Sequence, residues 1–167
     1  MLKVKYSKMN IMILATVWLL TGNCLAQNSS MKAMESPVRT SLKSDTQTIV
    51  PNKPFKLFVD FDMEPGWHIY YKEPGQSGMP TRVDLTLPPG FTAQVLNWPP
   101  VETFKEAGII TYGYSKKVRL STVITPLKTL KSGQSVKFQA AASWLACKHS
   151  CVPGNSSVSL ELKVQAK

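Results

Sequence analysis

Hydrophobic and polar residues alternate along most of the chain after position 37, as in β-strands that bury one face. The clearest case is Phe55–Met63, in which Leu57, Val59 and Phe61 share one face. Further candidate strands lie at 38–42, 67–71, 82–87, 92–98, 109–114, 117–124, 135–146 and 157–164. Because Pro and Gly separate these segments and no long helical period interrupts them, the pattern predicts an all-β sandwich.

Three details of the pattern concern how the strands connect. The candidates at 109–114 and 117–124 flank a Gly-Tyr-Ser-Lys turn, so we expect them to pair with each other. Residues 74–80 combine two Pro with two Gly and predict a loop. The stretch from 101 to 108 shows no clear period, and no strand is predicted there.

The first 26 residues have the features of a secretory signal peptide. A start with three lysines precedes an apolar run at 11–20, and small residues at positions 24 and 26 permit cleavage before Gln27. The run is too short to span a bilayer, which takes about 20 apolar residues. Cys24 offers a rival interpretation as a lipid-attachment cysteine, although the residues before it fit such a site poorly. We expect export and no membrane span after cleavage.

The remaining chain divides into two parts. Residues 27–37 are polar and without a period, which predicts a flexible leader. Residues 38–167 are long enough to form one domain with an adequate core. The net charge of +10 comes from basic residues that never occur in runs longer than two. Without a nucleic-acid motif, this charge indicates a solvated basic surface and no nucleic-acid partner, with some preference for acidic partner surfaces.

Two cysteines, Cys147 and Cys151, remain after signal cleavage. An extended chain would hold their Cα atoms about 13 Å apart, whereas a disulfide needs about 4.4–6.8 Å, so the chain must turn between them. As a staple, a ring this small contributes only about 2 kcal/mol, and we expect it to crosslink no two strands. Because Lys148 and His149 would favour a thiolate nearby, a redox role is preferred over a structural one.

A metal site is the alternative at the same place. Cys147, His149 and Cys151 could offer two thiolates and an imidazole, a donor set that suits Cu(I) or an incomplete zinc site. The other histidine, His68, lies in an aromatic strand and is most simply a half-buried, hydrogen-bonded side chain.

Six short motifs follow one another in a fixed order. They are GWHIY at 66–70, PGQSGMPT at 74–81, LPPGF at 87–91, NWP at 97–99, YGY at 112–114, and WLAC with CVPG at 144–154. Each is loose alone, but the ordered set covers most of residues 38–164. In this it resembles the N-terminal periplasmic domain of the thiol:disulfide interchange protein DsbD and the related domains of copper-sensitivity suppressor proteins.

The resemblance implies an immunoglobulin-like β-sandwich with a redox-active cysteine pair at one end. It also implies a cap over that pair, in which Phe104 would be the covering ring and Glu102 the flanking acid. Tyr70, on the same strand face as His68, would line the site, and His149 would lie beside the sulfurs.

We therefore expect a periplasmic thiol–disulfide exchange module of the protein-disulfide reductase type. It would pass reducing equivalents to thioredoxin-like proteins or disulfide isomerases, including those of cytochrome c biogenesis, and need no cofactor. Because the chain ends at Lys167, a separate membrane reductase is the expected electron source. A spacing of three residues between the cysteines matches the copper-sensitivity suppressor proteins better than DsbD, and it makes copper tolerance a candidate setting. Cys147 is the expected attacking sulfur. A copper-binding or protein-interaction sandwich with a merely structural disulfide stays open as the alternative.

Overall fold

The computed structural model describes residues 36–165. The predicted signal peptide, Cys24 and nearly all of the predicted leader lie outside the described residues. In the part described, no helix is long and apolar enough to cross a membrane. The strands are β1 Val38–Ser44, β2 Thr48–Ile49, β3 Phe55–Met63, β4 His68–Gly75, β5 Arg82–Thr86, β6 Phe91–Ala93, β7 Glu102–Glu106, β8 Ile109–Ser115, β9 Lys117–Pro126, β10 Ser135–Cys147 and β11 Cys151–Val164.

These strands form two sheets. One has four strands in the order β1-β3-β9-β6, all antiparallel. The other has seven strands and runs β2-β11-β10-β4-β8-β7, with β5 pairing to β10 beyond the end of β4. Only the short β2 pairs in parallel, against the end of β11. The prediction of an all-β, immunoglobulin-like β-sandwich is confirmed.

Aromatic side chains join the two sheets in the core. Phe55 and Phe61 of β3 meet Phe138 and Trp144 of β10 edge-on, with ring centroids 5.8 and 5.6 Å apart. Such T-shaped pairs add about 0.5–1.5 kcal/mol each beyond the area that they bury. They hold β10 against the opposite sheet, and β10 ends at Cys147.

The predicted pairing of 109–114 with 117–124 is wrong. Both segments are strands, but β8 pairs with β4 and β7, whereas β9 pairs with β3 and β6. Lys116 between them has a left-handed backbone, with φ of 61°, and the chain passes there from one sheet to the other. Tyr114 and Val118 both bury side chains in the core that the two sheets share. The hydrophobic alternation of the two segments is therefore the same as in a hairpin, and it does not reveal the change of sheet.

Other strand limits also differ from the pattern. Residues 101–108, for which the sequence predicts no strand, contain the edge strand β7. The candidate at 92–98 pairs only at Phe91–Ala93, followed by an isolated bridge at Asn97. The strand β4 enters the predicted loop as far as Gly75. Both β10 and β11 continue to the cysteines, which places the pair at the tip of the longest hairpin.

Candidate redox site

Cys147 and Cys151 form a disulfide, with an S–S distance of 2.02 Å and a Cα–Cα distance of 4.1 Å. Cys147 ends β10, Cys151 begins β11, and the two are direct partners in the antiparallel register. The turn closes with a hydrogen bond of 3.1 Å from the Lys148 backbone nitrogen to the Ser150 carbonyl oxygen. Because the strands run up to the cysteines, the bond joins two neighbouring strands, and the expectation that it would crosslink none is wrong.

The two cysteines differ in exposure. Cys147 is buried, with 4% of its surface exposed, whereas Cys151 is exposed to solvent. Thiol–disulfide exchange depends on which sulfur an attacking thiolate can reach. In the oxidised protein, Cys151 is therefore the accessible half of the bond.

Tyr70 covers the buried sulfur. Its hydroxyl donates a hydrogen bond to the Cys147 Sγ at 3.5 Å. The Tyr70 ring lies against Gly78, where a Cβ would be 2.5 Å from a ring carbon and where φ is +95°. The Thr81 hydroxyl donates to the Tyr70 carbonyl oxygen from the same loop. Burial, and then the charge of Glu106, raise the pKa of Tyr70, so its hydroxyl stays a donor at neutral pH.

His68 lies between the disulfide and the edge strand. It is the cross-strand partner of Cys147 in the β4–β10 pairing. Its imidazole meets the Tyr70 ring edge-on at 5.3 Å and stacks on the Phe104 ring, with centroids 4.6 Å apart and planes inclined by 22°. The cap residue expected from the sequence therefore covers the histidine, and three rings connect Cys147 to β7.

Two carboxylates flank Phe104 on β7. The Glu102 carboxylate accepts hydrogen bonds from the Ser115 backbone nitrogen at 3.1 Å and from the Ser115 hydroxyl at 2.7 Å, which ties the start of β7 to β8. Burial lowers the pKa of His68 from its ordinary value of 6.5, and the negative charges of Glu106 and Glu102 oppose this only in part. His68 is therefore mainly neutral at neutral pH.

A pocket of about 100 Å³ opens among these side chains. Gly113 on β8 lets that strand lie close to β4, since a Cβ there would overlap the Ile69 carbonyl oxygen. The pocket is smaller than the roughly 300 Å³ at which ligand pockets usually begin, which suits contact with a protein surface better than enclosure of a small molecule. It is lined by His68, Tyr70, Ser77, Phe104, Glu106, Ile109 and Thr111.

The turn between the cysteines carries the remaining predicted residues. The Lys148 ammonium donates to the Pro65 carbonyl oxygen at 3.1 Å, so it is held by a neighbouring turn. His149 is exposed. Within residues 36–165, no group of three or more His, Cys, Asp or Glu side chains is arranged to hold a metal ion. With both sulfurs in a disulfide, the copper alternative concerns the reduced protein only.

Sequence reasoning missed Glu106, Gly78 and Gly113 as parts of the site. Glu106 follows Phe104 at strand spacing, so the period of two places it on the same face once β7 is recognised. The two glycines occur in the motifs PGQSGMPT and YGY, but these motifs alone assign them no structural role. Their role depends on which rings and carbonyl groups approach them, and a pattern along the chain does not show this.

The family model described as "Thiol:disulfide interchange protein DsbD, N-terminal" matches residues 39–163. The chain belongs to this DsbD N-terminal family. The match begins at the second residue of β1, stops one residue before the end of β11, and includes every residue of the site described above. The resemblance drawn from the six motifs is confirmed.

Solved structures similar to this DsbD N-terminal-family chain include the N-terminal periplasmic domain of ScsB from Proteus mirabilis, which is 21% identical with a TM-score of 0.49. The alignment covers 77% of this chain and 46% of that one, so the chain spans about half of the ScsB domain. The reduced DsbD N-terminal domain of Neisseria meningitidis is 8% identical with a TM-score of 0.43, over 76% of this chain and 86% of that one. No curated protein sequence matches the chain.

Proposed function

We propose that this chain is a periplasmic thiol–disulfide exchange module, which passes reducing equivalents to thioredoxin-like proteins or disulfide isomerases through Cys147 and Cys151. The observation that carries the proposal is the asymmetry of the disulfide, in which one cysteine is exposed and the other is buried beneath a hydroxyl donor. Membership of the DsbD N-terminal family supports the same chemistry.

Exchange proceeds in two displacements that together move two electrons and two protons. In the reduced protein, the Cys151 thiolate attacks one sulfur of the partner's disulfide, and the other partner sulfur leaves as a thiolate and takes up a proton. The Cys147 thiolate then attacks Cys151 Sγ. The bond between the two proteins breaks, the Cys147–Cys151 disulfide forms, and the partner leaves as a dithiol.

Tyr70 assists the buried sulfur in this scheme. A hydroxyl that donates to sulfur favours the thiolate over the thiol, because hydrogen bonds to the charged form lower the pKa of a group. The same donor stabilises Cys147 as the leaving thiolate when a membrane reductase or another electron donor attacks Cys151. Tyr70 therefore acts on Cys147 in both directions of exchange.

The burial of Cys147 supports an order of attack opposite to the one expected from the sequence. Lys148 and His149 pointed to Cys147 as the attacking sulfur, but the Lys148 ammonium binds the Pro65 carbonyl oxygen. Exposure makes Cys151 the sulfur that joins the partner, and Cys147 the one that resolves the mixed disulfide. Phe104 keeps its proposed role as a cap, acting above His68, which is the cross-strand partner of Cys147.

One observation favours a second function. The disulfide joins β10 to β11, so it resembles a structural crosslink more closely than a bond within one turn would. A protein-interaction or copper-binding sandwich with a permanently oxidised pair is the candidate that follows.

A redox titration separates these functions. The purified chain is equilibrated in thiol buffers and against a thioredoxin-like protein, and the fraction of free Cys147 and Cys151 is measured by mass spectrometry after alkylation. An exchange module is expected to equilibrate within the range of such proteins, about −180 to −270 mV. A pair that stays oxidised below about −300 mV would contradict the exchange function and support the structural one.

A further inference from the structure

His68 on β4 connects the cysteine side of the site with the edge-strand side. Its backbone pairs with Cys147 on one side and with Ser115 on the other. Its imidazole packs on Tyr70, which contacts the buried sulfur, and on Phe104, which belongs to the edge strand. A structural change at the Cys147 sulfur and a structural change at β7 would therefore both alter the contacts of this imidazole.

We propose that His68 is a positioning residue for the exchange reaction: it holds the Tyr70 hydroxyl at Cys147 and keeps the Phe104 ring in place, so that the two together shelter Cys147 and direct partners to Cys151. The inference rests on the proposed function. It assigns the imidazole no bond to the partner and no proton in either displacement. Its action passes entirely through the two neighbouring rings.

The groups around the imidazole give this position a dependence on pH. Glu102 and Glu106 face it from β7, Tyr70 from β4, Thr111 and Ser115 from β8, and Cys147 from β10. Burial beneath Phe104 disfavours the charged imidazolium, which binds its proton more tightly once the rings separate. By linkage, the arrangement in which Phe104 covers His68 is favoured at pH values above the titration range of His68. As the pH falls through that range, protonation of His68 shifts the equilibrium towards the arrangement with separated rings.

The test measures the shelter of Cys147 directly. The reduced chain is labelled with iodoacetamide, and the rates at Cys147 and Cys151 are read separately by mass spectrometry, with the exposed Cys151 as internal reference. His68→Ala is expected to raise the Cys147 rate, relative to Cys151, about twofold to tenfold, the range that one aromatic contact supplies. His68→Phe retains a ring and is expected to stay close to the wild type. An unchanged ratio in His68→Ala would overturn the proposal.

A double substitution shows whether His68 acts through the cap. Phe104→Ala alone is expected to raise the Cys147 rate, and adding His68→Ala to it is expected to raise the rate by a smaller factor than His68→Ala does in the wild type, because only the contact through Tyr70 is left to lose. Effects that multiply would show that His68 acts independently of Phe104, against the proposal.

The pH series needs only the wild type and His68→Phe, so it stands even if His68→Ala does not fold. The Cys147 rate of the wild type, divided by that of His68→Phe, is expected to rise as the pH is lowered from 7.5 to 5.5, since both proteins share the ionisation of the thiol itself. A flat quotient would overturn the proposal. None of these measurements uses a partner, so a disulfide that fails the redox titration removes the proposed function while the labelling still tests His68.

Discussion

Two polar clusters lie on the outer faces of the two sheets, and they are built differently. On the four-stranded sheet, the Asp60 carboxylate accepts hydrogen bonds from the Arg119 guanidinium at 2.7 and 2.8 Å and from the Lys43 ammonium at 2.9 Å. On the seven-stranded sheet, the Tyr70 hydroxyl contacts the Cys147 sulfur, and the His68 ring packs on Tyr70. Asp60 lies within β3, whereas Cys147 ends β10 beside a turn.

The two clusters differ in whether their groups are already matched within the fold. Asp60 has positive partners on both neighbouring strands, so its charge is already matched within the fold. The cysteine cluster has a bond that can open and neutral rings whose contacts can change. Of the two clusters, the one at Asp60 adjoins the larger cavity, about 440 Å³ against about 100 Å³ beside His68. Cavity size therefore does not distinguish the cysteine cluster from the ion-pair cluster.

The largest expected effect is at the cysteines. Cys151→Ser is expected to abolish exchange with a thioredoxin-like protein, because it removes the accessible sulfur. Cys147→Ser is expected to accumulate a stable mixed disulfide at Cys151, because the resolving sulfur is gone. Non-reducing electrophoresis and mass spectrometry check both outcomes, with Asp60→Asn as a control of unchanged activity. A mixed disulfide trapped by Cys151→Ser instead would reverse the proposed order.

The next effect concerns the loop over Tyr70. Gly78 and Gly133 both have a left-handed backbone, with φ of +95° and +75°, but only Gly78 has a ring within reach of a Cβ. Both alanine variants should lose stability through backbone strain, about 1–3 kcal/mol. Gly78→Ala should lose a further amount of about 1–3 kcal/mol, because the Tyr70 ring must move. Urea unfolding measures the difference, and equal losses would contradict the packing described here.

A smaller effect is expected at the ion-pair cluster. The hydrogen bond from Arg119 is the largest cause that lowers the pKa of Asp60, and Lys43 adds to it against a partial opposing effect of burial. A carboxylate whose pKa is lowered by folding contributes stability above its ordinary pKa of about 3.9, and this contribution is lost as the pH falls through the lowered value.

Asp60→Asn should therefore lose about 1 kcal/mol or less at pH 7, since Arg119 and Lys43 are largely exposed and screened by solvent. The gap between wild type and variant should close as the pH falls below 4. Urea unfolding at several pH values checks this, while exchange activity should not change. A gap that persists at pH 2 would show that the carboxylate charge is not its source.

The smallest effect is expected at His149. Because its side chain is exposed in the turn, His149→Ala should change the exchange rate less than about twofold, as for other surface substitutions. Titration of the reduced chain with Cu(I) gives a second measurement on the same variant. Unchanged copper affinity would remove His149 as a ligand, whereas a clear loss would favour the copper-binding alternative.

Strands with one buried face could be predicted from the sequence because every second residue of such a strand is apolar. Phe55–Met63 has the predicted limits, since every second side chain enters the core. The edge strand β7 could not be found this way, because Phe104 is its only apolar residue and the remaining side chains face solvent. The pattern also does not predict which strands pair on either side of Lys116, because β8 and β9 both alternate clearly but belong to different sheets.

The candidate site was predicted in part for a related reason. The cysteines, His68, Tyr70 and Phe104 came from motifs and the family resemblance, and the structure brings them together. The exposure of each sulfur depends on contacts between residues distant along the chain, such as the 77 positions that separate Tyr70 from Cys147. The expectation based on neighbouring charges therefore favoured the less accessible cysteine.

The long hairpin of β10 and β11 has a kinetic consequence. Its register pairs residues from Ser135 with Lys163 up to the two cysteines, and none of those pairings requires the S–S bond. After reduction, the backbone therefore keeps the two thiols side by side at a high effective concentration, the advantage that any intramolecular reaction has over one between separate molecules. In the proposed exchange, ring closure should outpace attack of Cys147 on a second partner's disulfide, so each docking event should end with a released partner and not with a trapped complex.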